Sequence, residues 1–197
     1  LRLIDFKYGD PISNDLITRW FNGGKAVDDA CREGFGNVLE EIRNERIYID
    51  EMKQTPQGAL GLIILLDQLP RNIFRKTATP FRVFDPIARE ITSYVLENKL
   101  DEQVNHIERI FFYLVNPLEH SENLQDQELC VQKLLENWNS APPVYQGFLE
   151  KAHDFALQHY EIIKRFGRFP HRNQVLEREF TPEETEYMNS GPNTFGQ

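Results

Sequence analysis

Apolar runs long enough to cross a bilayer are missing from this sequence. The longest, "ALGLIILL" from Ala59 to Leu66, falls far short of the about 20 residues a membrane helix needs. Nothing resembles a signal peptide, so a soluble, cytoplasmic protein is expected. Cysteine is scarce. Cys31 and Cys130 stand far apart, without metal-type or redox-type spacing, which fits buried free thiols in a reducing compartment. Positive charge is outnumbered, with 22 Lys+Arg against 31 Asp+Glu and a net charge of -9. That balance argues against a nucleic-acid binder and against binding to an anionic membrane. Glycine-rich phosphate loops are absent, as are HExxH and Cys/His metal spacings, so no cofactor and no metal are expected.

What remains is a chain of 197 residues with a hydrophobic fraction of 40%, enough for one domain with a sizeable core. Helix punctuation dominates. Thr55 and Pro56 open "TPQGALGLIILLDQLP" as cap and first helical residue, and Pro70 is expected to end it. Its apolar positions are too dense for a stripe, so this helix belongs in the interior, though Leu62 to Leu66 alone also fits a core strand. Asp85 and Pro86 repeat the cap-and-proline device. Val104, Ile107, Ile110, Phe111 and Leu114 make a helical face. Ser121, followed by Glu122, reads as the cap of the next helix. The longest helix is expected from Val144, with Phe148, Ala152, Phe155, His159, Ile162, Ile163 and Phe166 on one face and Gly167 closing it. Thr181 and Glu184 spell a capping box. Asn14 to Phe21 and Asp28 to Glu45 read as two further helices joined through Gly23 and Gly24. No strand pair, hairpin or βαβ rhythm competes, and no regular repeat is visible. The expected fold class is all-α, a single domain over residues 1–197.

Three segments break the pattern of solvated charge on helix backs. In "LLDQLPRNIFRKT", Asp67, Gln68, Arg71, Asn72 and Arg75 follow directly on the most hydrophobic helix. "NPLEHSEN" puts Glu119, His120 and Ser121 in a turn between helices. "RFGRFPHRNQ" crowds Arg165, Arg168, His171, Arg172 and Asn173 around a helix break, with His159 on the apolar side of the preceding helix. Burying such groups without partners is costly, so they either pair with one another or line a cavity.

The stretches "LGLIILLDQLPRNIFRKTA", "ERIFFYLVNPLEHSENLQDQE" and "HYEIIKRFGRFPHRNQVLEREFTPEE" closely resemble the signature segments of the domain-of-unknown-function family 924, a likeness that runs from residue 13 to residue 190. Near the N-terminus, "RWFNGGKAVDDACREGFG" is similar to that family's Trp-Phe-plus-Asp opening, with the interval after Phe21 altered. The resemblance implies an all-α, tetratricopeptide-like helical fold. It implies no activity.

The polar segments support competing readings. In the first, Arg71, Arg75, Arg165, Arg168 and Arg172 offer planar forks to the carboxylate or phosphate of a small organic anion. Gln68, Asn72 and Asn173 fix its geometry, and Arg109 and Tyr113, four residues apart on a helix, look into the same cavity. His120 or His171 moves protons, because imidazole titrates near neutrality, and Asp67 or Glu119 orients it. The chemistry is then metal-independent acid/base work such as isomerisation, elimination, decarboxylation or cyclisation. In the second reading, Asp67, Glu119 and Glu122 neutralise the arginines and pin helices together, while the histidines make single structural hydrogen bonds. The alternative from another class is a helical module that presents a groove to a peptide or partner protein. A pocket gathers its arginines and histidines at one enclosed site. A module spreads them along an open groove.

Overall fold

The computed structural model describes residues 9–13, 15, 18, 24–46, 48–113 and 117–195, and every regular element among them is helical. The helix expected over Asn14 to Phe21 falls almost wholly outside the described residues, as do Gly23 and Leu114. Helix α1 (Gly24–Glu45) buries Cys31, Leu39 and Ile42 and is followed by the short α2 (Ile49–Met52). Thr55 then caps α3 (Pro56–Ile63), its side chain accepting the Gly58 N–H at 3.1 Å. Gly58 is required here, because a Cβ would meet the Met52 carbonyl oxygen at 2.0 Å.

Pro70 does not end this helix, contrary to expectation. A π turn (Ile64–Gln68) leads without a break into α4 (Leu69–Ile73), and the Leu69 N–H bonds back to the Ile64 carbonyl. Proline inside an α-helix clashes with the carbonyl one turn earlier, and the wider π turn relieves that crowding. The continuation carries Gln68, Arg71, Asn72 and Arg75 onto one helical face at spacings of three and four.

A second π turn (Pro80–Phe84) feeds α5 (Asp85–Glu97). Asp85 is thus the first helical residue rather than the cap. A 3-10 turn (Asp101–Gln103) and α6 (His106–Tyr113) follow. The cap of α7 (Leu124–Ser140) is Asn123, which accepts the Gln125 N–H at 2.8 Å. Ser121 is displaced from that role because its hydroxyl donates to Asp126 at 2.5 Å. Helix α8 (Pro143–Phe166) packs along α7 and ends at Gly167 with φ 69°, the left-handed closure its sequence announced. A 3-10 turn (Pro170–Arg172) and α9 (Pro182–Asn189), with the Thr181–Glu184 capping box, complete the chain's described part.

One buried cluster, running from Cys31 through Phe84 and Phe112 to Ala156, makes this a single all-α domain. The smaller cluster of Ile162, Ile163 and Phe169 joins the end of α8 to the segment beyond it. Arg168 seals that junction. It donates to both oxygens of the buried Glu184 at 2.6 and 2.8 Å, and Glu184 also accepts from the Thr181 N–H at 2.8 Å and from Asn173 at 3.2 Å. Those donors hold the Glu184 carboxyl down at about 2. Arg168→Ala is therefore expected to lower unfolding free energy by about 1–3 kcal/mol, the range for stranding a buried hydrogen-bonded partner. Urea unfolding checks it, and a stability equal to wild type would show that this junction does not hold the C-terminal segment.

Candidate functional site

A cavity of about 1040 Å³ opens where four parts of the chain meet. The π turn, α4 and the turn that follows it contribute Gln68, Arg71, Asn72 and Arg75. The turn before α7 supplies Glu119 and His120, α8 supplies Lys151 and His159, and the final 3-10 turn supplies His171 and Arg172. On α8, Phe148, Lys151, Ala152, Phe155 and His159 recur at three- and four-residue intervals, so one helix face forms a wall. Gln127 fixes the Glu119–His120 turn, donating through its side-chain amide to the carbonyls of Leu118, Glu119 and Ser121.

At the cavity floor Asp67, fully buried, accepts from His120 Nδ1 at 2.9 and 3.0 Å. Arg71 lies 3.2 Å from the same carboxylate and forms a two-pronged pair with Asp85 at 2.8 and 3.0 Å. With Nδ1 committed as donor, His120 keeps Nε2 as its basic atom, and the residue lines the cavity. Burial, with Arg71 and Arg172 close by, pushes the His120 pKa well below 6.5. The contact with Asp67 is thus a hydrogen bond from a neutral imidazole rather than an ion pair. Burial also lifts the Asp67 carboxyl, while the same two arginines oppose the rise.

Glu119 behaves differently. Burial and the neighbouring Asp67 charge raise its carboxyl well above 4.5, only partly offset by Arg71. Its Oε1 finds no hydrogen-bond partner within the described residues, and neither does Nε2 of His159. His159 is oriented by a 3.0 Å bond from Nδ1 to the Phe155 carbonyl, and burial holds its pKa well below 6.5. Arg172 lies between the rings of Phe81 and Phe169, 4.6 and 4.3 Å from their centroids, and donates to the His120 carbonyl at 2.8 Å. Burial and Arg71 lower it to about 10, which leaves it charged at neutral pH.

Five residues expected to face a ligand lie elsewhere. Arg109 donates to the carbonyls of Asp101, Glu102 and Val104, and Tyr113 to Asp101 at 2.6 Å, in a separate hollow. Arg165 pairs with Glu183 on the surface at 2.8 Å, and Arg168 is spent on Glu184. Asn173 is fully buried behind the lining, held by Glu184. Asp67 answers Arg71 as expected, but the other pairing acids differ. Asp85 and Asp28 take Arg71 and Arg75, Asp28 gripping Arg75 through two bonds of 3.0 Å and Asn72 through one of 2.7 Å. Glu122 binds Arg178 at 2.6 and 2.9 Å. Asp28, Asp85, Phe81, Lys151 and Phe195 were missed as site residues. Only Lys151 carried a sequence signal, a charge beside the apolar face that ends in His159.

Comparisons place the chain. A family model described as "Bacterial protein of unknown function (DUF924)" matches residues 4–192. A solved structure of a protein of unknown function from Agrobacterium tumefaciens superimposes with a TM-score of 0.71 at 31% identity, covering 90% of this chain and 96% of that one. Among curated proteins there is no significant match.

The two kinds of buried acid give opposite pH dependences. Above its ordinary 4.5, Glu119 keeps a proton in the native state that the unfolded chain releases, so its contribution to stability falls as pH rises towards its folded value. His120 and His159 stay neutral when folded, so stability is lost as pH falls below 6.5. Urea unfolding at about pH 5 and about pH 8 should therefore show Glu119→Gln gaining on wild type as pH rises. A pH-independent difference would mean that Glu119 ionises as an ordinary carboxylate.

Proposed function

We propose, for a chain that belongs to the family of bacterial proteins of unknown function, that the cavity binds a small organic anion and performs metal-independent acid/base chemistry on it. The observation that carries this reading is the Asp67–His120–Arg172 arrangement. A buried carboxylate sets the imidazole tautomer at 2.9 Å, and the backbone carbonyl of the same histidine holds a guanidinium at 2.8 Å. An imidazole so oriented is a base beside a fixed positive charge, the pairing needed to take a proton from an anionic substrate.

The roles divide by environment. Arg172, its plane fixed between two aromatic rings, anchors the anionic group. His120 accepts the proton at Nε2, and Asp67 stabilises the imidazolium that forms. Glu119, whose protonated form is favoured by burial, returns a proton. Removal of a proton by one group and its return by another is isomerase- or lyase-type chemistry. Arg71 and Arg75, each tied to an aspartate, hold the frame rather than the ligand. The lining also includes Lys76 and Lys151, both exposed, which bias a chain of net charge -9 towards anions at this one opening. A peptide-binding module is the weaker reading, because the arginines and histidines gather in one hollow.

A panel of mono- and dicarboxylates and phosphate monoesters, screened by thermal unfolding, tests the proposal. An anion at a hundred times its Kd adds about 2.7 kcal/mol, a midpoint rise of several degrees. Arg172→Gln and the milder Arg172→Lys are expected to abolish or shrink the ligand-dependent rise, whatever they do to the unliganded midpoint, while Arg165→Gln leaves it intact. No rise with any anion, or an equal rise in the Arg172 variants, would overturn the reading.

A further inference from the structure

We infer that the anion is amphiphilic: a carboxylate head carried on an aromatic or medium-chain alkyl body. This rests on the anion-binding reading and adds to it what the rest of the ligand must be. Five phenylalanines, Phe74, Phe81, Phe148, Phe155 and Phe195, line the same cavity. Each is only half-buried, whereas Phe84, Phe112 and Phe169 in the core are 0% exposed. The rings pack on protein on one side and leave the remainder of their area to the hollow. Leaving apolar surface against water is unfavourable in proportion to its area. A cavity meant for a polar metabolite alone would be lined with hydrogen-bonding groups at these positions.

Their distribution is not random. Phe148 and Phe155 stand one on each side of Ala152 on the cavity-facing side of α8, and the small alanine between them leaves a slot. Phe195 closes against this wall, 5.2 Å from the Phe155 ring and stacked at 3.7 Å on His159. Phe81 and Phe74 come from the opposite side, on the π turn and the end of α4. The polar floor of His120, Glu119 and Arg172 thus sits between aromatic walls. Size points the same way. Pockets for drug-sized ligands span about 300–1,000 Å³, and this cavity of about 1040 Å³ far exceeds what acetate or inorganic phosphate would fill. The charge at the floor takes the head, and the rings take the body.

Calorimetric titration of the purified protein with acetate, hexanoate, octanoate and decanoate tests the inference. Affinity should rise along the series, by up to about fourfold for each added methylene while the wall continues to cover it. Phe155→Ser should flatten that gain, and Phe195→Ala, at the margin of the smaller Ile162–Ile163–Phe169 cluster, gives a second variant should the first fail to fold. 3-Phenylpropionate reads the nature of the body: binding tighter than octanoate makes it aromatic, and weaker makes it alkyl. A flat series, with citrate or phosphate monoesters binding through Arg172 instead, would overturn the amphiphile and leave the anion site standing. Failure of every anion to bind, or 1-octanol binding as tightly as octanoate, would overturn both.

Discussion

A buried guanidinium organises everything else in this protein. Arg71 sits at 9% exposure with Asp85 in a two-pronged grip on one side and Asp67 on the other. It thereby ties the π-turn segment to the start of α5 and fixes the carboxylate that orients His120. Such a pair is poor evidence for stability, because desolvating two ions cancels much of their attraction. Its value is positional. Once Arg71 is inside, Asp67 and Asp85 must answer it, and those constraints leave the imidazole of His120 a single tautomer and direction.

The neighbourhood of that pair separates groups that would be alike in water. Asp67 and Glu119 are both carboxyls at the same floor, and both lie out of solvent. Asp67 has Arg71 and the His120 N–H to stabilise its charge. Glu119 has the weaker pull of Arg71 and His159 Nδ1 at 3.4 Å from its Oε1, and the Asp67 charge works against its ionisation. Burial raises both carboxyls, and the Asp67 charge adds to the rise of Glu119. The histidines follow the same logic. Arginines nearby and burial around them keep both neutral, hence able to accept a proton where an exposed histidine would already be partly charged.

Much of this was legible in the residues, and the failures have physical causes. Helix caps and breaks are local, so Thr55, Gly167 and the Thr181–Glu184 box could be read directly. Pro70 misled because a π turn lets a proline continue a helix, and nothing in six or seven residues announces that widening. Ser121 misled because the real cap depends on Asp126 taking its hydroxyl. Among site residues, those on the Gln68–Arg75 face, Glu119, His120, His159, His171 and Arg172 gather at one hollow. Arg165 and Arg168 resemble them in sequence yet serve Glu183 and Glu184. Arg165 lies in the last turn of α8 and Arg168 just beyond Gly167, both ahead of the 3-10 turn at Pro170–Arg172 that brings His171 and Arg172 to the cavity. Asp28 lies 47 residues from Arg75, and Asp85 14 residues from Arg71, separations at which no spacing rule operates.

The same long-range assembly explains why the hollow is two-natured. A side chain placed by a helix face inherits the chemistry of that face. Helix α8 was read as carrying one apolar face, and Phe148, Ala152 and Phe155 of that face line the cavity. The segment around Arg71 was read as purely polar, and its aromatic contributions, Phe74 and Phe81, come from where its helical run ends and the next turn begins. An apolar wall from one element and a charged floor from others meet only in the folded chain. Aromatic rings packed around Arg172 also strip water from its guanidinium, which strengthens its attraction for an anion relative to a solvated arginine. The apolar surface is therefore part of the anion site's electrostatics as well as of its shape. A ligand that brings its own hydrocarbon to those rings completes the exclusion of water and raises the strength of every charge interaction at the floor.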